Sequence, residues 1–188
     1  MEDQRELILD EATRQFQEKG LKFTMQDLAS DMHIAKKTVY HLFPSKEELL
    51  IALVENGFQK IHEEKARLMA SDLPIEEKIR RVIIAFPDQY RMIDFRRLDE
   101  LDEKYPTVAA CVRKNLAGNW EPTIKLIRQG IVEGKIRNIN IPILEMMLTS
   151  SFEEFLSTDD LMEAGISYHE ALISMMDIIM SGLIKNDG

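Results

Sequence analysis

A chain of 188 residues that is 45% hydrophobic and 30% charged, with a formal net charge of −9, is folded and globular with an ample core, which excludes a disordered chain. One cysteine, Cys111, excludes an intramolecular disulfide framework and a cysteine-rich zinc site; it suits a reducing cytoplasm and reads as a small buried hydrophobe. No run approaches the ~18 uninterrupted apolar residues of a membrane helix, and the acidic, amphipathic start MEDQRELILDEATRQF is unlike a signal peptide, so a cytoplasmic protein without a membrane partner is expected.

In chain order, the first clear signal is Thr24 with Asp27 three positions on, the pattern of a capping box in which the hydroxyl takes a free backbone N–H at a helix start. Met25, Leu28, Ala29 and Met32 then fall on one apolar face of a helix of about two turns. Ile34, Thr38, Val39, Leu42 and Phe43 continue in a new phase, and Pro44 cannot extend a helix, so a second short helix ends near Phe43. Ser45 with Glu48 reads as a further capping box. It opens a longer helix carrying Leu49, Leu50, Leu53, Val54, Phe58 and Ile61.

Charge is unevenly placed along these elements. Between Met32 and Lys46 lie Lys36, Lys37 and Lys46 with His33 and His41, and no acid. Lysines in the first turn of a helix oppose its dipole by ~0.3–1 kcal/mol each, and a phosphate backbone reverses that sign. A solvated helix face is the ordinary reading of a lone Lys-Lys pair; its setting in two short helices around a tight turn points instead to a DNA-reading device. The acidic remainder repels nucleic acid, so binding must be local and dimeric.

Beyond Phe58 the chain reads as further helices with almost no strand alternation, giving an all-α fold. Ile75, Ile79, Val82, Ile83, Phe86, Tyr90 and Ile93 keep helical spacing across Pro87, which kinks or restarts the helix. After the charged tract RRLDELDEKY, Pro106 suits the first position of a helix running through Val112 and Leu116 to Ile131, interrupted near Pro122 and stopped by Gly134. Ile143 to Leu156 and Tyr168 to Ile184 complete the set, both with broad apolar stripes.

From Ile8 to about Leu53 the residues resemble the start of the tetracycline-repressor (TetR) family of bacterial transcription regulators. The matching positions are Ile8, Ala12 and Phe16 on a first helix, Gly20 ending it, then Thr24, Leu28, Ala29, Ile34, Thr38, Tyr40, Phe43, Ser45, Lys46, Glu47 and Leu49. The resemblance implies a three-helix helix-turn-helix DNA-binding domain over residues 1–50 and a helical effector-binding and dimerisation domain over 51–188. It implies that the second motif helix enters the major groove, that Tyr40 touches the sugar-phosphate backbone, and that Lys46 binds phosphate at a helix start. Candidate DNA-binding residues are Thr24, Lys36, Lys37, Thr38, Tyr40, His41 and Lys46; of these, Lys37, Thr38 and His41 are placed to reach base edges. Two positions depart from the pattern: His33 stands where the turn commonly has Gly, and Ala35 where the reading helix usually starts with Ser, forgoing a cap typically worth ~1 kcal/mol.

The stretch Ile124 to Arg137 also looks like the family's regulatory half. There the last two helices pair with their copies in a second subunit, which here gives Leu144, Leu148, Phe152, Leu172, Met176, Ile179 and Leu183 as dimer candidates; a purely intramolecular core is the competing reading. A two-fold dimer implies a palindromic operator on double-stranded DNA with half-sites about 34–36 Å apart. The family's small-molecule effector pocket would draw on Phe86, Tyr90, Met92, Phe95, Trp120, Met146, Met147 and Phe155, aromatic and thioether side chains that also suit ordinary core.

The function expected is therefore that of a repressor released by a small-molecule effector. The alternative is a helix-turn-helix regulator controlled by a protein partner, or an activator. A di-iron bundle enzyme needs Glu-x-x-His pairs, and none of His33, His41, His62 or His169 has Glu three residues before it. No Gly-rich phosphate loop, H-E-x-x-H or G-x-S-x-G string occurs, so no catalytic residue, metal or cofactor is expected, and His62 and His169 read as solvated helix surface.

Overall fold

A computed structural model describes residues 2–85, 98–116, 120–158 and 160–184. Among them the fold is all-α, with one isolated antiparallel bridge between Ile136 and Ile184. Helix α1 (Glu2–Lys19) ends where Gly20 takes φ +57°, a left-handed turn that glycine enters without the Cβ penalty. A 3₁₀ turn (Gly20–Lys22) leads to α2 (Met25–Asp31) and α3 (Lys36–Leu42). Ile8, Ala12, Phe23, Leu28, Val39, Phe43 and Leu49 close the core between these helices, and all are buried. Each large side chain withdrawn from water there contributes about 1.5–3 kcal/mol, which lets two helices of seven residues persist that would not be stable alone.

Helix α4 (Lys46–Ala70) runs unbroken across the expected boundary at residue 50. It packs on α1, where Lys60 reaches Asp10, and on α5 (Ile75–Ile83) and α7 (Pro106–Leu116), so one helix carries both units. The helix expected to continue from Ile75 past Pro87 caps at Ile84; Phe86, Tyr90, Met92, Ile93 and Phe95 lie outside the described residues. Short α6 (Leu98–Lys104) precedes α7, which begins at Pro106 as its fixed φ favours. Near Pro122, where an interruption is expected, α8 (Glu121–Val132) starts with Trp120 as its N-cap residue and proline in its first turn.

Gly134 at φ +72° ends α8, and the Lys135 and Ile136 amides fold back to the Gly130 carbonyl at 2.9 and 3.0 Å. A Cβ at Gly130 would meet Cγ1 of Ile136 at 2.7 Å, so any larger residue there would displace the Ile136 side chain. Helix α9 (Ile141–Ser157) and α11 (Tyr168–Leu183) pack together, separated by one turn, α10 (Asp160–Glu163), which the apolar pattern did not announce. Ser167 and Glu170 form a reciprocal capping box at the start of α11. Cys111 is only partly buried, a correction to its reading as core, and His169 is likewise partly buried rather than on a solvated surface, whereas His62 is exposed.

Candidate nucleic-acid interface

The two short helices are set by local chemistry at four consecutive junctions. Thr24 and Asp27 satisfy each other: the Asp27 amide donates to Thr24 Oγ1 at 3.1 Å and the Thr24 amide donates to Asp27 Oδ2 at 2.8 Å. The Thr24 backbone N–H, above all, holds the Asp27 carboxyl below the usual carboxylate range. Between α2 and α3, His33 adopts φ 54°, the left-handed conformation expected at the turn position, and its exposed ring leaves the turn's shape to the backbone.

Ala35 is extended at φ −67°, ψ 136°, correctly posed as an N-cap but with no side chain to accept a bond, as its composition dictates. Ser45 accepts from the Glu48 amide at 3.1 Å. The returning half of that capping box is not formed, so the Thr24 pair is the complete one and the Ser45 pair only half of the expected motif.

On α3 the core takes Val39, while Lys36, Lys37, Tyr40 and His41 stand exposed and Thr38 is half-buried. The Lys36 ammonium lies 5.6 Å from the centroid of the Tyr40 ring, so cation and aromatic occupy one outward patch. Its first turn contains no acid to neutralise the two lysines. Arg5, which the sequence reading passed over, places its guanidinium 5.1 Å from the ring of Phe43 and adds a cation beside the end of α3. Its signal was available as a basic residue in an acidic N-terminal turn.

Lys46 is placed differently from the other candidates. Its Nζ donates to the carbonyls of Leu21 and Phe23, both at 2.5 Å, with the Phe23 ring at 4.5 Å and the Tyr105 ring at 5.9 Å. Burial pushes the Lys46 ammonium below the usual lysine range, and the nearby Asp27 carboxylate partly offsets this. The side chain thus ties the start of α4 to the chain entering α2 and to the residue preceding α7.

A second network sets α2 against α1. Asp31 accepts from Arg14 and from Gln15, each at 2.9 Å, and Gln15 also donates to Glu11 at 3.0 Å from a fully buried position. No sequence motif marks these residues, since each is unremarkable on its own helix.

The candidates in the second half divide by exposure. Leu144, Leu148, Phe152, Leu172, Met176 and Leu183 are buried within the protomer and Ile179 partly so, packing α9 and α11 against the core. The outward apolar side chains of the same helices are Ile143, Met146, Met147, Ile173 and Ile178, the last 76% exposed. Among the effector candidates, Met146 and Met147 are thus on the surface, Phe155 is half-buried against the core, and Trp120 is buried with its ring 5.5 Å from that of Phe152 and stacked on it. No helix of the described residues is long and apolar enough to cross a membrane.

Residues 8–53 match the family model for bacterial regulatory proteins of the tetR family. The chain is 24% identical over 181 residues to an HTH-type transcriptional regulator of Bacillus subtilis (strain 168), YvaF, covering 96% of this chain and 95% of that one. Among solved structures, a transcriptional regulator from Saccharomonospora viridis in complex with choline superposes with a TM-score of 0.71 at 16% identity, covering 99% and 100% of the two chains. A transcriptional regulator from Cytophaga hutchinsonii gives 0.69 at 18% identity, covering 96% and 98%. These relatives are transcriptional regulators, not enzymes.

Proposed function

We propose that this chain, a DNA-binding transcriptional regulator of the tetR family, acts in the cytoplasm as a homodimeric repressor that occupies a palindromic operator and leaves it when a small molecule binds among the helices of its second half. The observation that carries the reading is the exposed cationic and aromatic face of α3, presented by a capped helix-turn-helix on a chain of net charge −9. Lys36, Lys37 and Tyr40 hold the phosphate backbone, and Arg5 joins them from α1; Lys37, Thr38 and His41 face base edges from the first and last turns of α3. Thr24, with its hydroxyl oxygen already accepting from Asp27, still has its hydroxyl hydrogen to give to a phosphate.

One reading helix covers only a half-site, so a two-fold partner is needed to span successive major grooves. The outward face of α9 and α11, with Ile143, Met147, Ile173 and Ile178, supplies the self-complementary surface; Leu148 and Met176 fill the protomer beneath it. The S. viridis protein holds choline within a similar fold, which supports a small-molecule effector over a protein partner.

Footprinting of the purified protein on its own upstream DNA tests the proposal. A protected palindrome with half-sites about one helical turn apart is expected. Replacing Lys36 or Lys37 with Ala should lower the slope of log K against log salt by ~0.9 per lysine. Protection without symmetry, or slopes unchanged in both variants, would overturn it. A thermal-shift screen of small molecules, followed by operator release with each hit, tests the effector half.

A further inference from the structure

A lysine in the first turn of a helix opposes the helix dipole and needs compensation from elsewhere. Lys46 stands in that place in α4, directly after the Ser45 N-cap, and is half-buried there. Of the three donors of an ammonium, two go to the Leu21 and Phe23 carbonyls. Among the described residues no third oxygen receives the last, and no carboxylate lies within ion-pair distance. The remaining charge is met by two aromatic rings, Phe23 at 4.5 Å and Tyr105 at 5.9 Å.

The two rings belong to different units. Phe23 is wholly buried in the core of the first three helices, so its ring moves with the reading unit. Tyr105 belongs to the second half, and its main chain is fixed from both sides. Its amide donates to the Leu101 carbonyl at 2.7 Å at the end of α6, and its carbonyl accepts the Val108 and Ala109 amides at 2.9 and 3.1 Å at the start of α7. Pro106, next in sequence, restricts the Tyr105 backbone further. The Tyr105 hydroxyl has no hydrogen-bond partner among the described residues, so Lys46 meets the ring and not the oxygen.

Two charges frame the contact. Asp27 on α2 attracts Lys46, and Lys104, beside Tyr105, repels it. Lys104 is itself only loosely answered, by Glu100 at 3.9 Å. The second half therefore holds Lys46 through an aromatic face and against that repulsion. We propose that Tyr105 is a positioning residue for DNA reading: its ring holds the Lys46 ammonium, and Lys46 holds the chain entering α2, so the α6–α7 junction sets part of the placement of α2 and α3. The inference rests on the DNA-binding reading above and adds to it a residue that touches no DNA.

Hydrogen exchange and operator affinity of the full-length protein test the assignment together. The Leu28, Met32 and Phe43 amides donate to the Thr24, Leu28 and Val39 carbonyls, so their exchange reports how firmly α2 and α3 are held. Tyr105→Leu keeps apolar bulk and loses the aromatic face. It should speed exchange at these amides about two- to fivefold, the fold-change that a cation over a partly exposed ring is worth, and leave the Ala171 amide of α11 as in the parent. Tyr105→Phe should restore the parent rate, and Tyr105→Leu should add nothing in a Lys46→Met background. Operator affinity should follow the same order, falling about two- to fivefold in Tyr105→Leu with an unchanged salt slope, since no phosphate contact is lost. Parent-like exchange in Tyr105→Leu, faster exchange without loss of operator affinity, failure of Tyr105→Phe to restore the rate, or an effect that persists in the Lys46→Met background would each overturn the positioning role. If exchange responds as expected but the parent protects no palindrome, the hold of Tyr105 on α2 and α3 stands and the operator reading falls.

Discussion

The Lys46 ammonium donates to the Phe23 carbonyl at 2.5 Å while lying 4.5 Å from the centroid of the ring of that same residue. One side chain therefore satisfies main-chain oxygen and aromatic face at the entry to α2, and its stem is anchored one residue after the N-cap of α4. Replacing Lys46 with Met leaves the Leu21 and Phe23 carbonyls without their donor, which should lower stability by about 1–3 kcal/mol in urea unfolding. Operator affinity should fall for every sequence alike, because the reading helix is less well held. The decisive readout is salt. A residue occupied by carbonyls releases no counterion, so the slope of log K against log salt should stay that of the parent; a slope lowered by ~0.9 would make Lys46 a phosphate contact instead.

The turn at His33 and the uncapped start at Ala35 are two places where this chain forgoes stability. A non-glycine residue in the left-handed region costs roughly 1–2 kcal/mol, against which glycine loses about 0.5–1 kcal/mol in backbone entropy. His33→Gly should therefore be neutral to mildly stabilising, and His33→Val clearly destabilising, in chemical denaturation at neutral pH. Ala35 already has cap geometry, φ −67° and ψ 136°, so Ala35→Ser should add about 0.5–2 kcal/mol without moving α3. A loss of stability in Ala35→Ser would mean that the hydroxyl cannot reach the free amides.

What was legible in the sequence and what was not differ by range. Thr24 with Asp27, Pro44 after Phe43 and Pro106 after Tyr105 are decided within one helical turn, and the structure has helix boundaries at each. The left-handed backbone at His33 was foreseeable for the same reason. Lys46 was not: its sequence position marks a helix start, but its partners lie 25 and 23 residues away, across a turn whose path the pattern does not give. The faces of α9 and α11 failed similarly. Both stripes are broad, and a stripe does not say which half meets the protomer, so Leu148 and Met176 were read as interface although they fill the core. Tyr105 and Lys46 are likewise far apart in sequence, and no spacing rule joins them.

Acid should unfold the protein partly through its capping acids. Accepted hydrogen bonds hold Asp27 and Glu170 below the usual carboxylate range, from the Thr24 backbone N–H first in one case and the Ser167 hydroxyl first in the other. A carboxyl whose folded pKa is depressed contributes stability that is complete above its ordinary value and is lost as pH falls through the folded value. The ordinary values are 3.8 for Asp27 and 4.5 for Glu170, so the contribution should be whole at neutral pH and decline only as pH falls through those values and below. Melting curves of Asp27→Asn and Glu170→Gln across this range should each show a shallower acid limb than the parent. An unchanged limb in both variants would assign acid unfolding to other groups.

Two substitutions on one helix separate assembly from folding. Ile178 is 76% exposed on α11, where an isolated protomer has nothing to gain from a large apolar side chain, and Met176 two positions earlier is wholly buried. If the outward face of α9 and α11 pairs with its copy, Ile178→Glu places two carboxylates near a two-fold axis in a desolvated seam. Sedimentation velocity should then report a monomer, operator affinity should collapse because a single reading helix covers one half-site, and thermal unfolding of the isolated protomer should be little altered. Met176→Ala should do the reverse, costing about 2–5 kcal/mol through the cavity it leaves while the surviving folded protein still dimerises. Met147→Glu, on the exposed side of α9, should reproduce the Ile178 result if both helices contribute to one seam. A dimer that tolerates both glutamates would remove this face from the assembly and leave its apolar residues as ordinary surface.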